Sequence, residues 1–176
     1  MESKIQTGDI QAHDPYRLRL AANHDAALLW EWANDPVTRK NSFDPAAISW
    51  KAHAVWFAKK LASPDCRIWL LELAMIPVGQ IRFERSGADT AQISFSVAQG
   101  YRGKRLGTLL LQASPSLAGR ELGVSCAEGV TFIENLASQR AFFKAGFTAV
   151  GPATIAGRDC MIFRRRGLLK DEGARR

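Results

Sequence analysis

The alternation of apolar and polar positions over residues 16–21 has the period of a strand. Asn23 then stands where a capping residue would open a helix over about residues 25–33, with Leu28, Leu29 and Trp32 on one face and Trp30 opposite. After a loop at 34–48, Ser49 is placed to cap a second helix in which Trp50, Ala54, Phe57 and Leu61 recur at i, i+4, i+7 and i+11 as a core stripe. His53, Trp56 and Lys60 form a separate flank of that helix and read as its surface rim. Residues 67–73, 78–85 and 91–97 predict three strands, joined near Ile76 and Pro77 and then by Ser86, Gly87 and Asp89. Links that short imply an antiparallel meander. A helix follows over about 107–122, bent at Pro115, then a strand near 127–132, a helix over 135–145 and closing strands. The predicted order is β-α-α-β-β-β-α-β-α-β-β.

Length sets the scale: 176 residues, 47% of them hydrophobic, suffice for one sizeable core, and no repeat or linker divides them. One domain over residues 15–166 is expected, with flexible ends at 1–14 and 167–176. The longest apolar runs, 68–73 and 106–111, fall far short of the roughly 20 residues that span a bilayer. The acidic start, with Glu2, Asp9 and Asp14, is unlike a secretory signal. A soluble cytoplasmic protein is expected, and Cys66, Cys126 and Cys160 read as reduced core residues.

The net charge of +7 does not mark a nucleic-acid binder, because residues 157–176 alone hold seven Arg or Lys against three acids. A second basic cluster, Arg102, Lys104 and Arg105, lies among glycines at the start of the third helix. There, peptide amides and the helix dipole converge on an anion. The segment is not a Walker loop, since no Gly-Lys-Ser/Thr ending is present. Nor is it a dinucleotide-fold loop, because the strand before it belongs to the meander. His13, His24 and His53 have no Cys or acid at ligand spacing, so no metal is expected.

Residues 99–107, Gln-Gly-Tyr-Arg-Gly-Lys-Arg-Leu-Gly, resemble the pyrophosphate loop of the GNAT N-acetyltransferase superfamily, with Arg102 and Gly107 at its outer positions. Residues 135–147, from Asn135 to Lys144-Ala-Gly-Phe147, are similar to that family's second signature. The resemblance implies a single α/β (α+β) domain with a mixed, mostly antiparallel sheet and helices on both faces, using acetyl-CoA as co-substrate. It implies that the amides from Arg102 through Gly103, Lys104, Arg105, Leu106 and Gly107 to Thr108 hold the CoA pyrophosphate. The splayed strand Phe95, Ser96 and Val97 would bond the pantetheine arm, with Asn135 facing the same groove. Two positions depart from the pattern. Arg105 stands where the family usually has Gly, for close approach or positive φ, and Phe142 stands where a Tyr often protonates the leaving thiolate.

Direct transfer needs a proton acceptor, an oxyanion donor and thiolate stabilisation. Alternation puts Gln80, Arg82 and Glu84 on one face of their strand and Gln92, Ser94 and Ser96 on one face of the next, as a polar-lined groove requires. Glu84 or Ser94 is the candidate to position the amine or a relay water, and Ser138 the candidate near the thioester sulfur.

For the acceptor, residues 32–43, 53–57 and 79–83 resemble the sugar-nucleotide N-acetyltransferases of pseudaminic-acid synthesis, which acetylate the 4-amino group of a UDP-linked deoxy amino sugar. Arg39 suits a nucleotide phosphate, Asn41 and Ser42 sugar hydroxyls, and Trp30 or Trp56 a ring, with His53 and Arg82 completing the set. The loop at 34–43 would close over this acceptor. Two alternatives stay open: acetylation of a peptide or ribosomal-protein N-terminus, and a binding module for acyl-CoA or a nucleotide sugar without turnover. A homodimer is compatible with all three.

Overall fold

The computed structural model describes residues 15–166; the ends expected to be flexible, His13 among them, lie outside these. Seven strands form one sheet: β1 (Tyr16–Leu20), β2 (Cys66–Leu73), β3 (Ile76–Arg85), β4 (Thr90–Val97), β5 (Cys126–Phe132), β6 (Thr148–Ile155) and β7 (Arg158–Arg166). Their order in the sheet is β1-β2-β3-β4-β5-β7-β6, antiparallel except at β4 and β5. The meander of β2, β3 and β4 is as the short links require. Its first turn is Ala74-Met75, both at positive φ, and not Ile76-Pro77. Pro77 instead lies inside β3, where a register shift at Leu71/Glu72 absorbs its missing amide.

Helices cover both faces. On one, α4 (Leu106–Leu122) and α5 (Leu136–Lys144) pack over Ile81, Phe83 and Ile93. On the other, α1 (Ala26–Asn34) and α3 (Trp50–Ala62) close a smaller core of Leu29, Phe57, Cys66, Ile68 and Leu70. Pro115 does not break α4. The carbonyl of Leu111, deprived of its helical donor, accepts from the buried Ser114 hydroxyl at 2.7 Å.

Three local expectations need correction. Asn23 does not cap α1; it opens a 3-10 turn, and Asp25 organises this corner by accepting from the Ala22 amide at 2.8 Å and from Arg19. The region 34–48 is not all loop, since Asp35 caps a short helix α2 (Pro36–Lys40) by accepting from the Val37 and Thr38 amides. The buried face of α3 runs through His53 and Phe57, at i and i+4, while Trp50 is 47% exposed. Ser49 does cap α3, accepting from the Ala52 amide. The helix is thus rotated from its expected stripe, and Trp50 in its first turn meets Trp30 edge-on at 5.8 Å instead of entering the core.

The parallel pair is short. β4 and β5 bond from Thr90/Cys126 to Ile93/Gly129 and then part, although both strands continue. Phe142 fills the space beneath the parting point: 2% exposed, it stacks on Phe163 at 5.0 Å and meets Phe95 and Phe147 edge-on. A Cβ at Gly129 would stand 2.1 Å from its ring. Gly129→Ala should therefore cost about 1–3 kcal/mol of stability through overpacking, measured by urea unfolding; an unchanged midpoint would mean that the plug is loose.

Candidate functional site

Where β4 and β5 separate, a cleft of about 980 Å³ passes through the sheet. Its lining draws on both layers: Gln80, Arg82, Ser94 and Ser96 from the α1/α3 face, and Thr131, Asn135, Ser138 and Phe142 from the α5 side. Gln80 and Ser96 are register partners, as are Arg82 and Ser94, and the Gln80 amide donates to Ser96 Oγ at 3.3 Å. The alternation expected from sequence thus delivers four polar side chains to one wall. Glu84, next along the same face, does not reach it. Its carboxylate is ion-paired with Lys60 of α3 and lies beside Arg82 at the outer end of β3, so Ser94 alone of that pair of candidates faces the cleft.

The mouth on the α4 side is a helix terminus. Arg105 precedes α4 with φ 63° and ψ 10° and no side chain caps the helix, so the amides of Leu106, Gly107 and Thr108 have neither helical nor capping acceptors. Arg105 therefore adopts the left-handed backbone that a glycine would adopt more cheaply. Gly107 lies against β4: a Cβ there would stand 2.9 Å from the Phe95 ring. Beside these amides, the outward edge of Ser94 to Val97 has no strand partner beyond Ile93. A convergent anion site thus adjoins a free strand edge, which can hold a phosphate and an amide-bearing arm in sequence.

Two basic side chains of this loop do other work. Lys104 is not among the lining residues; its ammonium lies 5.1 Å from the centre of the Tyr101 ring. Arg102 turns away from the helix terminus, donating to the Val97 carbonyl at 3.1 Å and to Asp35 at 2.6 Å. Burial pushes the Asp35 carboxyl up, but Arg102 and the Thr38 and Val37 amides outweigh this and hold it below the ordinary range. The sequence reading left Asp35 within the loop at 34–48, whereas it caps α2. It is also the clasp between the 102–108 loop and α2.

The segment at 34–49 roofs the cleft. Arg39 donates to the carbonyls of Asp44 and Ala46 and to Ser42 Oγ, its buried Nε has no partner, and Asn41 donates to the Val37 carbonyl. At its far end Phe43 meets Phe132 of β5 edge-on at 5.1 Å. Arg39, Asn41, Ser42, His53 and Trp56 line the cleft; Trp30 does not, because its indole donates to the Ile48 carbonyl at 2.7 Å and ties the segment to α1. Trp56 presents a partly occupied face, with the Arg82 guanidinium 5.2 Å from its centre. His53, expected on a rim, is 3% exposed, and burial pushes its pKa down from 6.5 while the Ala26 backbone draws it back. Thr131, which no motif announced, also lines the cleft, as do Arg140 and Lys144 of the 135–147 segment, which the sequence had not singled out as site residues.

Filling the space against Phe95 should close the anion site. Gly107→Trp is expected to weaken coenzyme A binding at least 100-fold by isothermal titration while the melting transition stays cooperative; unaltered affinity would place the pyrophosphate elsewhere.

Comparison with known proteins supports this geometry. The aminoglycoside acetyltransferase AAC(6')-Ib in complex with ribostamycin and coenzyme A superposes with a TM-score of 0.76 at 23% identity, covering 87% of this chain and 94% of that one. Spermidine N-acetyltransferase from Vibrio cholerae, in complex with CoA and spermine, gives 0.78 at 16% identity, over 87% and 96%. RimL, a ribosomal α-N-protein acetyltransferase, in complex with coenzyme A, gives 0.75 at 16% identity, over 86% and 93%. At these identities the likeness establishes the fold. No curated protein sequence matches the chain. The profile of the acetyltransferase (GNAT) domain matches residues 16–148, and with the open amides of α4 beside the parted strands it establishes that the chain belongs to the GNAT family of acetyl-CoA-dependent N-acetyltransferases.

Proposed function

We propose that this acetyltransferase acts on the 4-amino group of a UDP-linked deoxy amino sugar used in surface or flagellar glycan synthesis. The charge of the cleft carries the reading. Arg39, Arg82, Arg105, Arg140 and Lys144 line it, and among the described lining residues there is no Asp or Glu. Spermine and ribostamycin, held by two of the similar structures, carry several ammonium groups near neutral pH, and a cleft of this charge repels them. A nucleoside diphosphate instead supplies two phosphates for guanidinium groups. Arg39, with its unpartnered Nε, and Arg82 are the proposed phosphate contacts, Asn41 and Ser42 the sugar contacts, and Trp56 the ring contact.

On the donor side, the Leu106, Gly107 and Thr108 amides, with Gly103 and Arg105 beside them, take the pyrophosphate of acetyl-CoA. The free edge of Phe95, Ser96 and Val97 takes the pantetheine arm, and Asn135 and Ser138 stand opposite. Arg102 acts through Asp35, as a link between the two substrates. Phe142 shapes the floor and has no proton to give. Three buried free thiols, Cys66, Cys126 and Cys160, fit a reducing cytoplasm.

The test is thiol release from acetyl-CoA with a UDP-4-amino-4,6-dideoxy sugar, spermine, an aminoglycoside and an N-terminal peptide offered separately. The sugar nucleotide should be the preferred acceptor, and Arg39→Ala should raise its KM about tenfold with kcat and the acetyl-CoA KM unchanged, the loss of one charge-assisted contact. Turnover with the peptide alone would keep the enzyme and overturn the acceptor, and silence with all four would favour a binding role.

A further inference from the structure

A neutral amine is the nucleophile in direct acetyl transfer, so something in the cleft must remove a proton from nitrogen. Carboxylates are the usual candidates, and here they are out of reach: no Asp or Glu is among the described lining residues, Asp35 is bound by Arg102, and Glu84 by Lys60. One lining side chain remains that is a base near neutral pH, and its geometry is unusual.

His53 is buried in a box of Trp50, Trp56 and Phe57, with ring centres between 5.4 and 6.3 Å away. Its Nε2 is buried and has no hydrogen-bond partner. The hydrogen bond with the Ala26 backbone raises the ring's basicity, as one donated by the ring does, and with Nε2 unpartnered its donor is Nδ1–H. That fixes the neutral tautomer with the lone pair on Nε2. An orphaned buried nitrogen carries a desolvation cost, and it persists where a ligand or an ordered water completes it. α3 covers the sheet face that carries Arg82, Ser94 and Ser96, so His53 belongs to the same wall as these side chains.

We infer that His53 Nε2 is the proton acceptor for the attacking amine, directly or through one bound water. As the new C–N bond forms, nitrogen sheds one proton to Nε2. The C–S bond breaks with its electron pair on sulfur, and the thiolate takes a proton from solvent, to which His53 returns its own. The sum is amine plus thioester giving amide plus thiol. The charged groups on the surrounding elements are Arg82 of β3 over Trp56, Asp25 ahead of α1 paired with Arg19, Lys60 of α3 paired with Glu84, and Arg39 of α2, bonded to Ser42. Burial makes His53 a weaker base than a free imidazole, so it is unprotonated and competent at pH 7.

This rests on acetyl transfer to an amine and not on which amine. With the best acceptor found, wild-type kcat/KM should fall as pH drops through a value below 6.5, the ordinary histidine pKa. His53→Asn, whose side-chain amide can keep a donor at the Nδ1 position, should lose about 100-fold in kcat and lose that limb, with the acetyl-CoA Kd unchanged. A retained limb and kcat would overturn the assignment. Long-range 15N NMR of the wild-type ring, which needs no acceptor and no stable variant, should show Nδ1 protonated and Nε2 bare at pH 7, and a protonated Nε2 would equally overturn it. If no amine is acetylated, the acceptor reading fails while the NMR result still decides the state of His53.

Discussion

Everything this molecule does depends on two strands that stop pairing. After Ile93 and Gly129, β4 and β5 continue without hydrogen bonds between them. Unpaired backbone inside a sheet is costly unless a ligand or water completes it, so the parting has to be held open by packing. Phe142 does this from below, with its ring on the bare Cα of Gly129 and its stack on Phe163. The same wedge leaves a free strand edge beside the uncapped N-terminus of α4. The cleft and the free strand edge both border this one aromatic plug.

That plug bears on the chemistry. A phenol at this position would need to reach the channel, whereas Phe142 is sealed in the core and has no acidic proton. Hydroxyls and cations stand around the parted strands instead, among them Ser138, the unpartnered Thr131 and Arg140. A channel lined by cations lowers the cost of developing negative charge on sulfur or on the carbonyl oxygen. On the proposed acceptor reading, the same charge also disfavours polycationic amines.

The roof of the cleft is joined to the 102–108 loop through an ion pair. Arg102, bonded to Val97 at the end of β4, holds Asp35, and Asp35 caps the helix that carries Arg39. The 102–108 loop and the segment proposed to contact the acceptor phosphates are thus linked. Phe43 on Phe132 fixes the other end of the roof to β5.

Much of this was legible in the chain. Period-2 alternation located the meander and placed Gln80, Arg82, Ser94 and Ser96 together, and the glycine-rich basic segment at 99–107 marked a helix start built for an anion. These are local signals, governed by side-chain period and backbone freedom. The sequence could not tell that Glu84 would be spent on Lys60, that Arg102 would reach Asp35 across 67 positions, or that α3 would turn His53 inward and Trp50 outward. Those outcomes depend on which helix face meets which strand, and amphipathic spacing alone leaves that rotation undetermined by a residue or so. The chain by itself determined the family, the strands and longer helices in their order, and the glycine-rich segment that opens α4. Only tertiary packing decided where the charges are neutralised and which polar atoms are left without partners, because both are properties of distant segments brought into contact.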